Sequence, residues 1–193
     1  MKGAFFMPKI IKDVEVSVFN AVMTVMTSDG IDQLTMKQIA KTSGIAVGTL
    51  YNYFPDREEL ISKAIQYSWN QSFESLDEIL DQETDNLTKW TAFHDNLYLE
   101  IIKRKAIGHE LLRQHVITDE VRIEILSGLY KRYAFLFDGL EEYQEKPFSE
   151  KNKQRIEETL ISTVLRLALS FPEDGEDNRE YLSQLSVLIL NIK

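Results

Sequence analysis

Two short apolar-periodic segments meeting at a single glycine constrain this chain more than any other feature. Between Leu34 and Leu60 it reads LTMKQIAKTSGIAVGTLYNYFPDREEL. The segments 36–43 and 46–54 join at Gly44, with room only for a tight turn. A glycine there supplies the left-handed backbone that lets two helices meet at a sharp angle. Thr35, followed three residues later by Gln38, is a capping-box pattern that opens the first helix. Ile39 and Ala40 face inward, and Ala40 is small enough for the second helix to cross closely. Ile45, Leu50 and Phe54 continue the apolar face, while Val47, Thr49, Tyr51, Asn52 and Tyr53 remain for the outside. Pro55 ends that helix, because the residue before a proline is pushed out of the α region. Asp56 with Glu59 forms a second capping box that launches another helix. These signals agree on a helix-turn-helix, and so on a DNA-binding unit.

Gly30, the run Leu34 to Lys41, Gly44-Ile45, the run GTLYNYF from Gly48 to Phe54, and Glu58-Glu59-Leu60 together resemble the tetracycline-repressor (TetR) family of bacterial regulators. The resemblance covers roughly residues 10 to 62, about a third of the chain. It implies a three-helix DNA-binding domain over residues 1–55 and a helical regulatory and dimerisation domain over 56–193. It also implies a sequence-specific transcriptional regulator, a repressor that a small-molecule effector in the second domain releases from a palindromic operator. One departure is visible. The family commonly has Ser or a similar cap where this chain has Ala46, and alanine caps a helix poorly.

The 193 residues carry a net charge of −9, which at first sight argues against nucleic acid. Residues 1–60 account for only −1 of it, with six Lys/Arg against seven Asp/Glu. Six basic residues are few for a module whose affinity rests on phosphate neutralisation. Two heads held together escape that limit through effective concentration. There are no cysteines, which excludes disulfides and thiolate metal sites. No apolar run approaches the roughly 20 residues of a membrane span, and Ala4-Phe5-Phe6-Met7 is too short for a signal sequence. A cytoplasmic location is expected.

Residues 10–28 read as a first helix, with Ile11, Val14, Val18, Ala21 or Val22, and Val25 at helical spacing and Gly30 just past its end. The helix launched at Asp56 is expected to reach about Asp81 and to link the head to the rest. A helix over about 87–105, a short segment from Ala106 to about Val116, and a helix capped by Thr118 follow. Gly139 and Pro147 bracket the next loop. Ser149 is the expected cap of a helix to about Phe171, and Asp177 with Glu180 the expected capping box of a last helix, Asn178 to Ile192. The fold class is all-α, with about nine helices.

The second helix of the motif is the one that enters the major groove, its N-terminal residues nearest the bases. Val47, Gly48 and Thr49 are the candidate readers: methyl groups meet thymine methyls and a threonine hydroxyl bonds either base type. Asn52 is a candidate for adenine. Tyr51 and Tyr53 offer hydroxyls to phosphates, as similar family positions do. Thr35 sets a helix N-terminus against a phosphate, and Lys37 and Arg57 are further candidate donors to DNA. Against each stands a plainer role in capping, packing or solvation.

Trp69, Phe73, Trp90, Phe93, Tyr98, Tyr130, Tyr133 and Phe137 lie on the following helices. They are candidates to line a ligand pocket, with a plain aromatic core as the alternative. Ile156, Leu160, Val164, Leu167 and Phe171 form one apolar stripe, and Leu182, Leu185 and Ile189 another. The resemblance implies that these pair with a second copy as a four-helix bundle; closing the chain's own core is the alternative. His94, His109 and His115 are not spaced to place two ligands on one helix face, so no metal is expected, nor any cofactor. No phosphate loop or nucleophile elbow is present, and an enzyme is the remote alternative. The nearer one is a co-activator or architectural factor controlled by a protein partner.

Overall fold

The computed structural model describes residues 10–104, 117–140 and 148–190. The segment expected at Ala106–Val116, with Gly108, His109 and His115, lies outside these residues, as do Met7, Pro8, Tyr143, Pro147 and Ile192. Eight α-helices and one 3-10 turn make up the described elements, with no strand among them. Helix α1 spans Ile10–Ser28, and the 3-10 turn Ile31–Gln33 leads into α2, Met36–Ser43, and α3, Val47–Tyr53. Then come α4, Arg57–Leu80, α5, Asn86–Lys103, α6, Asp119–Leu140, α7, Glu150–Ser170, and α8, Gly175–Leu190.

The apolar residues gather into two clusters. The head cluster holds Val18, Val22, Val25 and Met26 of α1, Leu34, Met36 and Ile39, then Leu50 and Phe54. It also takes Leu60, Ile61, Ala64 and Ile65 from the first half of α4, with Ile117 just before α6 and Val121 in its first turn. The residue 55/56 boundary expected from the sequence therefore falls where α4 begins, although half of that helix is buried in the head. The body cluster is built around α5, which packs on α4, α6, α7 and α8. Its residues include Phe73, Leu76, Trp90, Phe93, Leu97, Tyr98, Tyr133, Phe137, Leu160, Val164 and Leu182. Along α4 the two clusters are separated by two buried serines, Ser68 and Ser72.

The caps explain where the helices begin, and they correct some expectations. Thr35 Oγ1 accepts from the Gln38 backbone N–H at 3.1 Å, but the Gln38 side chain donates to Asp29 instead of returning to Thr35. Asp56 accepts from the Glu59 backbone N–H at 2.7 Å, while the Glu59 carboxylate pairs with Lys63. Each capping box is thus half made. Ser149 caps α7 with no side-chain bond. The last helix starts at Gly175, so Asp177 sits in its first turn and is not its cap. Asn178 is buried, its amide donating to Tyr98 Oη and to the Phe171 carbonyl, which fixes the turn between α7 and α8. Gly139 lies inside α6, not in the loop after it, and its carbonyl accepts from Asn86.

Candidate nucleic-acid interface

Gly44 has φ 73° and ψ 14°, the left-handed conformation expected at the bend, and its backbone N–H closes on the Ala40 carbonyl. The Ile45 backbone N–H bonds the same carbonyl at 3.1 Å. The turn therefore holds α2 and α3 in one fixed relation, with Ile39, Leu50 and Phe54 buried behind them. Ala46 stands at the N-cap of α3 with no side-chain bond, so the first N–H groups of that helix face outward without a cap. Nothing approaches within 4 Å of the position a Gly48 Cβ would occupy, so this part of α3 is bare.

The candidate contacts divide by exposure. Thr35, Lys37, Val47, Gly48, Tyr51 and Asn52 are exposed, while Thr49 and Tyr53 are half-buried. Tyr51 stands 52 % exposed, with no partner for its ring or hydroxyl among the described residues. Tyr53 packs against the head cluster and beside Phe54, so it supports α3 as well as flanking it. Arg57 turns toward protein: its guanidinium donates to the Leu34 carbonyl and reaches the Ile31 carbonyl and the Glu58 carboxylate. It clamps the N-terminus of α4 onto the 3-10 turn.

In the body the aromatic candidates pack on one another. Trp90, Phe93, Tyr98, Tyr133 and Phe137 are all at most 1 % exposed. Trp90 lies 5.4 Å from Phe137 and 6.0 Å from Tyr133, and Phe93 lies 5.3 Å from Tyr133, ring centre to ring centre. At those separations the rings fill the space between α5 and α6 with each other, which is the plain-core alternative. Trp69, Phe73 and Tyr130 lie at the edge of this cluster. In its middle sits His94, fully buried, its Nδ1 donating to the Trp90 carbonyl at 2.6 Å. Burial pulls its pKa down to about 4. The Trp90 indole N–H has no partner among the described residues.

The stripes expected at a dimer interface also face inward. Leu160, Val164 and Leu182 are fully buried within the chain itself, and Ile156, Leu167 and Ile189 pack against the same core. Leu185 is half-buried, and Phe171 alone of the set is exposed. The outward face instead shows Leu188 at 76 %, Tyr181 at 52 %, Phe171 at 51 % and Leu169 at 39 %. The period marks apolar positions without saying which stripe meets the core, so the readily visible stripe was the internal one. Tyr181 and Leu188, seven residues apart, were the signal for the other.

Where head and body meet, Arg104 is 6 % exposed at the end of α5. Its guanidinium donates to the Ser68 carbonyl and hydroxyl and to Ser72 on α4, stacks 4.8 Å from the Trp69 ring, and pairs with Glu100 at 3.2 Å. Burial raises the Glu100 carboxyl's pKa, but the Ser72 hydroxyl bond and the Arg104 charge outweigh it and leave the pKa below its usual value. Sequence reading missed this cluster, because nothing local distinguishes one arginine near a helix end from another. Among the described residues no group of three His, Asp or Glu side chains could hold a metal, and no helix is long and apolar enough to cross a membrane.

Residues 19–64 match the model of the family described as bacterial regulatory proteins, tetR family. An HTH-type transcriptional regulator of Haemophilus influenzae is 24% identical over 86 residues, 45% of this chain and 46% of that protein. The fatty acid metabolism regulator protein of Bacillus subtilis is 26% identical over 127 residues, 64% of this chain and 63% of that protein. The matched stretches thus span less than two thirds of either relative. Among solved structures, the regulator FadR from Bacillus subtilis in complex with stearoyl-CoA superposes with a TM-score of 0.73 at 18% identity, over 91% of this chain and 97% of that one. FadR from Bacillus halodurans gives 0.69 at 22% identity over 93% and 97%. A TetR family regulator from Marinobacter aquaeolei gives 0.69 at 15% identity over 97% and 100%. The tetR family's model thus lies over the helix-turn-helix, and the whole fold is similar to that of these regulators.

Proposed function

We propose that the chain is a homodimeric, cytoplasmic repressor: each copy reads one half of a palindromic operator with α3, and a small apolar effector in the body releases it. The observation that carries this reading is the bare outer face of α3, where Val47, Gly48, Tyr51 and Asn52 stand exposed on a rigidly held turn. Thr35 and Lys37 flank that face from α2, with Thr49 and Tyr53 at its edges. In this reading residues 1–55 read DNA and residues 56–193 regulate and dimerise. The second copy would meet the outward face of α7 and α8 at Tyr181, Leu188 and Phe171, with two-fold symmetry matching the operator's. The relative's stearoyl-CoA complex and the apolar body cluster support a long-chain acyl effector. The release would be a population shift between two head spacings, transmitted by α4.

The test is a titration of the DNA flanking the chain's own gene, at several salt concentrations, with and without stearoyl-CoA. Sequence-selective binding lost on adding stearoyl-CoA is the expected result. Binding indifferent to sequence at every salt concentration would sink the reading. The closed packing of Trp90, Phe93, Tyr133 and Phe137 favours a second reading, a DNA-binding co-activator governed by a protein partner. Selective DNA binding that no acyl-CoA alters would bring it forward.

A further inference from the structure

Between α1 of the head and α4 and α5 of the body lies a partly enclosed cleft of about 470 Å³. Its floor is the Arg104–Glu100 pair with Ser68 and Ser72. Each of its three sides carries polar groups: Asn20, Thr24 and Thr27 from α1 beside the apolar Met23, Gln71 and Ser75 from α4, and Lys103 from α5. We propose that this cleft binds a small hydroxylated phosphate ester, held between head and body.

The chemistry follows from which groups are free. Arg104 and Lys103 both lie beside the Glu100 carboxylate, so the three groups leave the cleft one net positive charge. The Lys103 ammonium lies 3.7 Å from Glu100 with its side chain 75 % exposed. One net positive charge at the rim, in a chain of net charge −9, favours an anion there. The Asn20 amide and the Ser75 hydroxyl have no side-chain partner among the described residues and face the same space. They add donors beside that charge, as a phosphate requires. The hydroxyls of Thr24 and Thr27 already donate to the Asn20 and Met23 carbonyls at 2.8 Å each. Their oxygens are therefore left as acceptors, and a carrier with hydroxyl groups of its own satisfies them where inorganic phosphate does not. Because the walls belong to both head and body, an occupied cleft ties α1 to α5 and favours the arrangement in which it is formed.

This inference does not rest on the operator or on an acyl effector. It is tested by calorimetric titration of the full chain with inorganic phosphate, glycerol 3-phosphate and coenzyme A. Saturable binding of one of the two esters, about tenfold or more tighter than inorganic phosphate, is expected, and whichever binds identifies the carrier as polyol or nucleotide. Lys103→Met and Ser75→Val should each weaken that binding by about five- to tenfold with the melting temperature unchanged. No saturable binding below about 10 mM, equal binding of all three compounds, or unaltered binding in both variants would overturn the proposal.

Discussion

The hydroxyl of Tyr133 donates to Nε2 of His94 across 3.0 Å, between two side chains that are wholly buried. With Nδ1 donating to the Trp90 carbonyl, both ring nitrogens are satisfied only while the imidazole is neutral. Protonating it would place a charge between the rings of Trp90 and Phe93, with no carboxylate paired to it among the described residues.

A pH dependence of stability follows. In the unfolded chain the imidazole titrates near 6.5, whereas in the fold it is held down to about 4. Between these values the unfolded state binds more protons, so stability is full above pH 6.5 and falls as the pH drops toward 4. The total loss is about 3 kcal/mol. Urea unfolding at pH 7 and pH 5 measures the slope, and His94→Gln should flatten it. Tyr133→Phe leaves Nε2 without a donor and should cost about 1–3 kcal/mol at pH 7.

Gly128 on α6 faces the ring of Phe73 on α4 so closely that a Cβ would sit 2.6 Å from two ring carbons. Alanine in a helix interior ordinarily gains about 1 kcal/mol over glycine. Here the clash forces two packed helices apart, and Gly128→Ala should destabilise by a net amount of about 1–2 kcal/mol. Adding Phe73→Leu should recover part of that loss, since a smaller side chain frees the space. Thermal melts of the single and double variants decide it.

Tyr51→Phe removes one hydroxyl from an exposed side chain and leaves the head's packing untouched. Stability should change by no more than about 0.5 kcal/mol. Affinity for the operator should fall about tenfold or more, the cost of a hydrogen bond to a charged group. An unchanged affinity would remove Tyr51 from the contact surface.

Two leucines six residues apart on α8 should behave oppositely. Leu188 is 76 % exposed and Leu182 is fully buried. Leu188→Asp should shift the chain from dimer to monomer in analytical ultracentrifugation while leaving its helical content intact. Leu182→Ala should instead cost about 2–5 kcal/mol of folding stability.

What was legible in the sequence was local. Thr35, Gly44, Pro55 and Asp56 act through neighbours three or four residues away, and each stands where its residue type required. The reciprocal halves of the capping boxes were not legible, because Gln38 found Asp29 and Glu59 found Lys63. The start of α8 was placed too late for a similar reason: Asn178 looked like a first helical residue, yet its role is a tertiary bond to Tyr98, 80 positions away in the chain. Periodicity found the stripes of α7 and α8 but not which of them meets the core. Arg104 gave no local sign, since burying a guanidinium depends on serines more than 30 positions distant.

Ile117 and Val121 pack into the head cluster although they follow α5 in sequence. The reading unit is therefore not a cassette. A chimera that joins residues 1–64 of this chain to another regulator's body would leave Leu60, Ile61 and Ala64 facing whatever that body offers in place of two aliphatic side chains. Grafts should succeed only where the recipient carries matching apolar residues at the start of its sixth helix. The same linkage means that substitutions in this corner of the body are felt as changes in the head.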